Sequence, residues 1–105
     1  MAVIILETAS VRFDEIYRFT ADRWGEEQAE RYLTGLFEAI EGLADGRTRS
    51  RVVPASFGVQ GFFIRYEHHF VYWRRLQDGD VGVVSILHER MHQERRVRAE
   101  FSDPK

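Results

Sequence analysis

Two amphipathic helical patterns lie back to back in the first half of the chain, with room for only a one- or two-residue turn between them. Phe13, Ile16, Tyr17, Thr20 and Trp24 recur at three- and four-residue spacing and make one face of a first helix. Ala29, Tyr32, Leu33, Leu36, Phe37, Ile40 and Leu43 repeat the spacing more strongly, for about four turns. Thr8 or Ser10 is placed to cap the first helix. Gly25 suits the left-handed position that ends it, and Gly46 ends the second. Helices over 9–24 and 26–45 joined so tightly must fold back as a hairpin. Their two apolar stripes then need a cover from elsewhere in the chain.

The second half supplies one. Residues 47–61, with three arginines, Pro54, Gly58 and Gly61, read as loop and edge. Phe62–Tyr66, Phe70–Leu76 and Val81–Leu87 are aromatic and β-branched strands, with Glu67-His68-His69 between the first two and Asp78-Gly79 as a hairpin turn before the third. Residues 2–6 predict a short buried strand at the start. From Gln93 the chain is polar and ends near Pro104, so 90–105 reads as a short helix or tail. The expected fold is α+β: an N-terminal strand, then an αα-hairpin packed on one face of a small antiparallel sheet over 62–88. One domain over 1–105 is the expectation for 105 residues.

Composition narrows the function classes. The net charge is −2, yet residues 1–46 carry ten acids and four arginines, whereas 47–105 carry seven acids, ten arginines and Lys105. The balance is −6 in one half and +4 in the other. A phosphate-gripping chain needs a strong basic excess, so direct sequence-specific nucleic-acid binding is not expected. The basic half suits an acidic partner. Without cysteine there is no disulfide, thiol nucleophile or cysteine metal site. No apolar run approaches the ~18–20 residues of a membrane span. Met1–Leu6 lacks the basic start of a signal peptide, so no membrane partner and a cytoplasmic address are predicted.

His88-Glu89-Arg90-Met91-His92 spells H-E-x-x-H, the zinc-hydrolase pattern in which both histidines share a helix face and the glutamate activates water. Here it emerges from a strand, and Glu94, Glu100 and Asp103 are the only acids left downstream as a third ligand. No metal and no cofactor are therefore expected. His68-His69 reads as a polar turn, Ser85 lacks a nucleophile-elbow sequence, and the glycines form no phosphate loop. Trp24 and Trp73 read as core. Arg95, Arg96 and Arg98 are either a solvated tail or a bidentate dock for carboxylate or phosphate.

Four segments, in order, carry a family resemblance. Asp14-Glu15-Ile16-Tyr17 resembles an Asp-Leu-x-x-Ile-Tyr pattern, one position off. The run Trp24-Gly25-Glu26-Glu27-Gln28-Ala29-Glu30-Arg31-Tyr32-Leu33 is similar to the helix junction of ParE-type toxins. Phe70-Val71-Tyr72-Trp73-Arg74 resembles their strand ending in Tyr-x-Arg, and Ile86-Leu87-His88-Glu89-Arg90-Met91 their terminal Ile-Leu-His-x-Arg-Met. The likeness runs from about residue 3 to residue 98 and explains the H-E-x-x-H match without zinc. It implies a toxin of a type II toxin–antitoxin system, in the ParE branch of the RelE/ParE superfamily, with a helical hairpin on a small antiparallel sheet. Such toxins poison DNA gyrase and are neutralised by a cognate antitoxin, often serving plasmid or chromosome stabilisation.

On that reading the protein is a non-catalytic inhibitor. The exposed basic end, His88, Arg90, Met91, Arg95, Arg96 and Arg98, is expected to meet gyrase. The sheet aromatics Phe62, Phe63, Tyr66, Tyr72 and Trp73 are expected to meet an acidic antitoxin segment, in a complex with two copies of each chain. The alternative within the superfamily is ribosome-dependent cleavage of messenger RNA, for which Arg65, His88, Arg90 and His92 are the available residues. It is disfavoured because no lysine precedes Lys105 and no tyrosine follows Tyr72. A non-toxic interaction protein is the third reading, since fold alone does not fix function.

Overall fold

The computed structural model describes residues 2–102. The elements are β1 (Val3–Ile5), α1 (Glu7–Trp24), α2 (Glu26–Asp45), β2 (Arg51–Val52), a 3-10 turn (Ala55–Phe57), β3 (Phe62–Tyr66), β4 (His69–Arg75), β5 (Val81–His88) and α3 (Gln93–Phe101). The fold is α+β, as expected, with the helical hairpin joined through Gly25 alone. That glycine sits at φ 94°, donates its N–H to the Ala21 carbonyl and offers its own carbonyl to the Ala29 N–H. A side chain there would be strained, so one residue both ends α1 and starts α2.

α1 begins earlier than its apolar pattern, at Glu7. Neither Thr8 nor Ser10 caps it. Leu6 precedes the first turn without a side-chain cap, and the Thr8 hydroxyl instead donates 2.6 Å to the Val84 carbonyl, tying α1 to β5. In α2 the stripe is buried where it faces the sheet, at Ala29, Leu36, Ile40 and Leu43.

The sheet has five strands in the order β1-β5-β4-β3-β2. It is mixed, not antiparallel throughout: β1 lies parallel to β5, with Val3 opposite Val81 and Ile5 opposite Val83. β1 is also shorter than residues 2–6 and only half-buried, because it forms an edge. The β3–β4 and β4–β5 pairs are antiparallel hairpins, as predicted. A register shift at Tyr72/Trp73 pairs Tyr72 with Ser85 but Trp73 with Val83. The extra residue in β5 changes the parity of the strand. Val81 and Val83 face the helical hairpin before the bulge, and Ile86 faces it after.

The largest departure is on the other sheet face. The hairpin covers Ile64, Val71, Trp73, Val83 and Ile86. A second core of Val53, Tyr72, Val84 and Leu87 lies opposite, closed by Val97 and Phe101 of α3. Residues 93–101 are therefore a docked helix and not a tail; Asp103, Pro104 and Lys105 lie outside the described residues. With helices on both faces, β5 is buried at every position from Val81 to Leu87.

Candidate functional site

The segment after β5 turns sharply. The Arg90 N–H donates 3.1 Å to His88 Nδ1, and the Met91 N–H donates to the His88 carbonyl. His92 then precedes α3, and its Nδ1 accepts the Arg95 N–H at 3.2 Å. Each of these imidazoles accepts at Nδ1, so each neutral ring carries its proton on Nε2. The two histidines of H-E-x-x-H thus stand on a strand end and a helix cap, not on one helix face. Glu89 points to Arg65 and to His68 Nδ1, the latter at 2.9 Å. Those partners, His68 first, hold its carboxyl below the usual carboxylate range. Among the described residues no group of three or more potential ligands could hold a metal ion.

The basic residues singled out in the sequence divide in two. Arg90, Arg95 and Arg96 are exposed, and their guanidiniums have no partner among the described residues. Arg98 is also exposed but is pinned, with bonds to the carbonyls of Ser56 and Phe57 and to Glu94. Met91 is half-buried against the core beneath α3. Glu94 lies one turn before Arg98, so the exposed face of α3 is a short ridge of cations with one internal pair.

The nuclease candidates do not assemble as four free groups. Arg65 is tied to Glu89 and to the Glu67 carbonyl, His88 to the Arg90 amide, and His92 to the helix cap. Of the four, Arg90 alone has an uncommitted side chain among the described residues.

The sheet aromatics are split by the pleat. Phe62 and Tyr66 lie on the hairpin side and Phe63 on the α3 side, all half-buried. Tyr72 and Trp73 are not available surface: they are 3% and 5% exposed. The Tyr72 hydroxyl donates 2.8 Å to Gln93, and burial pushes it up to about 12. The Trp73 indole donates to Ser50. Both are core because β4 is an inner strand covered on both faces.

Trp24 departs in the opposite sense. It is 64% exposed, not core, and meets Phe19 edge-to-face at the tip of the helical hairpin. Beside it a cleft of about 570 Å³ runs between that tip and the β3–β4 turn, with Tyr32 and Tyr66 among its walls and His68, His69 and His88 at its far side. Tyr32 Oη lies 2.7 Å from His69 Nδ1 and accepts the His68 N–H at 3.3 Å. Burial, helped by His88 and His68, drives His69 down to about 4, so it is neutral. The sequence signals for this cleft were Trp24 at the last position of a helix and the His68-His69 turn, read apart as core and loop.

Among the described residues no helix is long and apolar enough to cross a membrane. Residues 3–93 match the family described as "ParE toxin of type II toxin-antitoxin system, parDE". The chain is 31% identical over 98 residues to Toxin ParE1 of Mycobacterium tuberculosis, covering 90% of this chain and 95% of that protein. It is 34% identical over 94 residues to Toxin ParE of Escherichia coli, covering 86% of each. A solved structure, the chromosomal ParDE system from P. aeruginosa, superposes with a TM-score of 0.65 at 18% identity, over 84% of this chain and 95% of that one. That last likeness is one of fold.

Proposed function

The chain belongs to the ParE family of toxins from type II toxin–antitoxin systems, and we propose that it acts in the cytoplasm by binding DNA gyrase, without chemistry of its own. One observation carries this reading. The Ile86–Met91 segment buries its apolar residues and presents its cation: Ile86 packs under the hairpin, Leu87 and Met91 pack under α3, and Arg90 stands in solvent. Arg95 and Arg96 extend the same basic surface along α3. Uncommitted guanidiniums on a rigid frame suit bidentate capture of a partner's carboxylates or phosphates. Purified protein is expected to inhibit gyrase supercoiling or trap cleaved DNA while leaving ribosome-bound message intact. Site-specific message cleavage with normal gyrase activity would overturn the proposal.

The cognate antitoxin is proposed to neutralise the protein through an acidic segment that covers the half-buried aromatics Phe62, Phe63 and Tyr66, in an assembly with two copies of each chain. Charge complementarity with the +4 half supports this, steering encounter more than setting affinity. Hydrogen exchange with and without antitoxin tests it. Protection is expected between residues 50 and 90, and protection confined to 10–24 would overturn the placement.

A further inference from the structure

The cleft at the hairpin tip shares Tyr66 with the aromatic patch above but contains none of Arg90, Arg95 and Arg96, and its chemistry is opposite to that of the basic face. Two large aromatics stand open there: Trp24 is 64% and Phe19 49% exposed. Exposed large aromatics that adjoin a cleft mark interaction sites, whereas scattered single ones do not. Phe19 already carries a guanidinium, since Arg23 sits 4.7 Å above its ring. Trp24 has no such partner among the described residues, and indole is the strongest of the aromatic faces for a cation.

The rim is negative. Glu27 and Glu67 line the cleft with a single arginine, Arg31, which is shared between Gln28 and Glu27. Asp22, Glu26 and Glu30 are exposed on the adjoining turns of α1 and α2. The two phenols in the walls sense this field. Tyr32 and Tyr66 are both raised, by burial first and then by neighbours that include the Glu67 carboxylate. Neutral His69 adds no compensating charge.

Glu67 has a second peculiarity: φ 51°, the sole positive φ among the described non-glycine residues. A two-residue hairpin turn favours Asn or Gly at such a position, and a glutamate there carries backbone strain. Strained residues that persist tend to cluster at binding sites. This one sets a carboxylate on the cleft rim.

We propose that the cleft between Trp24 and Glu67 is a docking site for an arginine-bearing segment of a partner protein, whose guanidinium stacks on the Trp24 indole and meets the carboxylates of Glu67 and Glu27. Arginine is favoured over lysine because its planar, weakly hydrated head stacks on an aromatic face and still offers in-plane donors to a carboxylate. The site is independent of the gyrase reading, since it shares no residue with Arg90, Arg95 and Arg96.

The test uses capped peptides identical except for one central residue, arginine, lysine or glutamate, titrated into the full chain while the tryptophan indole N–H signals are followed by NMR. The arginine peptide is expected to move the Trp24 signal saturably, the lysine peptide to bind at least about threefold more weakly, and the glutamate peptide not at all. The Trp73 signal, from a buried indole bonded to Ser50, is the internal control. Trp24→Ala, read through other cleft signals, and Glu67→Gln should each weaken the response about tenfold, and Glu67→Gly with its relaxed turn should do the same. An equal response to the glutamate peptide, an unaltered response in these variants, or no response to arginine would overturn the proposal. So would Trp24 shifts that track protein concentration without peptide, because the occupant would then be a second copy of the chain.

Discussion

Arg12 on α1 and Glu100 on α3 meet at 2.7 Å across the end of the sheet, with side chains only 15% and 13% exposed. Their bond is the strut between the helical hairpin and the helix on the opposite face. Burial disfavours the Arg12 charge, but Glu100 and then Glu15 overcome it and raise the guanidinium above its ordinary value. Breaking such a pair on one side strands a charge, at a cost of about 3 kcal/mol, whereas replacing both partners with apolar groups is often near neutral. Arg12→Met is therefore expected to lower stability by about that amount, and Arg12→Met with Glu100→Leu to recover most of it. Urea denaturation of the two single variants and the double variant checks this; additive losses would show that the pair does not act as a strut.

Ser85 is fully buried in β5, and its hydroxyl has no hydrogen-bond partner among the described residues. It sits opposite Tyr72, where the β5 bulge turns the strand's parity. An unpaired buried hydroxyl costs stability, so Ser85→Ala is expected to be neutral or stabilising by up to about 1 kcal/mol. Ser85→Val adds volume beside the bulge and should cost about 1–3 kcal/mol. Thermal melts of both variants decide it, and a clear loss in the alanine variant would mean that the hydroxyl is bonded in solution.

The legible parts of this fold were those set by local periodicity. The α2 stripe and the two glycines fix the hairpin, because spacing of three and four leaves one buried face. β1 was legible as a strand but not as a parallel partner of β5, since no local signal distinguishes parallel pairing at a sheet edge. For α3 the sequence leaves helix and tail both open, because Val97 and Phe101 are its only buried residues, too few to outweigh the polar majority around them. What the sequence does not give is the docking of that helix on the second sheet face, and with that face open Tyr72 reads as surface. Trp24 failed in the opposite direction. It continues the α1 stripe in phase, but the helix has by then run past the sheet, so a core-phase residue has no core to meet.

The Arg95 and Arg96 side chains are exposed and their guanidiniums have no partner among the described residues. Reversing both charges is therefore expected to abolish growth inhibition while leaving Tm near that of the parent, since isolated surface changes lie within about 0.5 kcal/mol. Arg98→Glu is the contrast. It removes the bonds to Ser56 and Phe57 and sets a carboxylate against Glu94, so it should lower Tm as well. Toxicity retained in a folded Arg95→Glu/Arg96→Glu double variant would move the target surface to the helical hairpin.

His69 gives the protein an acid-sensitive joint between α2 and the β3–β4 turn. Its folded value is about 4, while an unfolded histidine takes up its proton near 6.5. Between these values the unfolded chain binds more protons, so stability rises with pH across that window. The contribution is full above about pH 6.5 and is lost as pH falls toward 4, to a total of about 2–3 kcal/mol. Glu89, held low by His68 and Arg65, also favours the folded state less in acid. The comparison is thus between the parent and His69→Gln: urea midpoints measured from pH 7 to 4 should fall less steeply in the variant. Parallel curves would show that His69 titrates in the folded state as it does in the unfolded chain.

Gly61, just before β3, lies between the Phe101 ring of α3 and the backbone of β4. A Cβ there would lie 2.9 Å from the Trp73 carbonyl oxygen and 2.9 Å from the Phe101 ring. The ring can turn aside, but the carbonyl belongs to an inner strand and cannot. Val53 also donates its N–H to the Gly61 carbonyl, so the loop is not free to back away. Gly61→Ala is therefore expected to cost about 1–3 kcal/mol, as overpacking does. The loss should be concentrated at the contact with α3. Hydrogen exchange in the variant should rise first at Val97–Phe101 and at the loop around Phe57, with the α1–α2 hairpin protected as in the parent. Phe101→Leu in the same background vacates the ring position but not the carbonyl, so it should restore little. Full recovery on that second change would show that the ring, and not the strand backbone, excludes a side chain at this position.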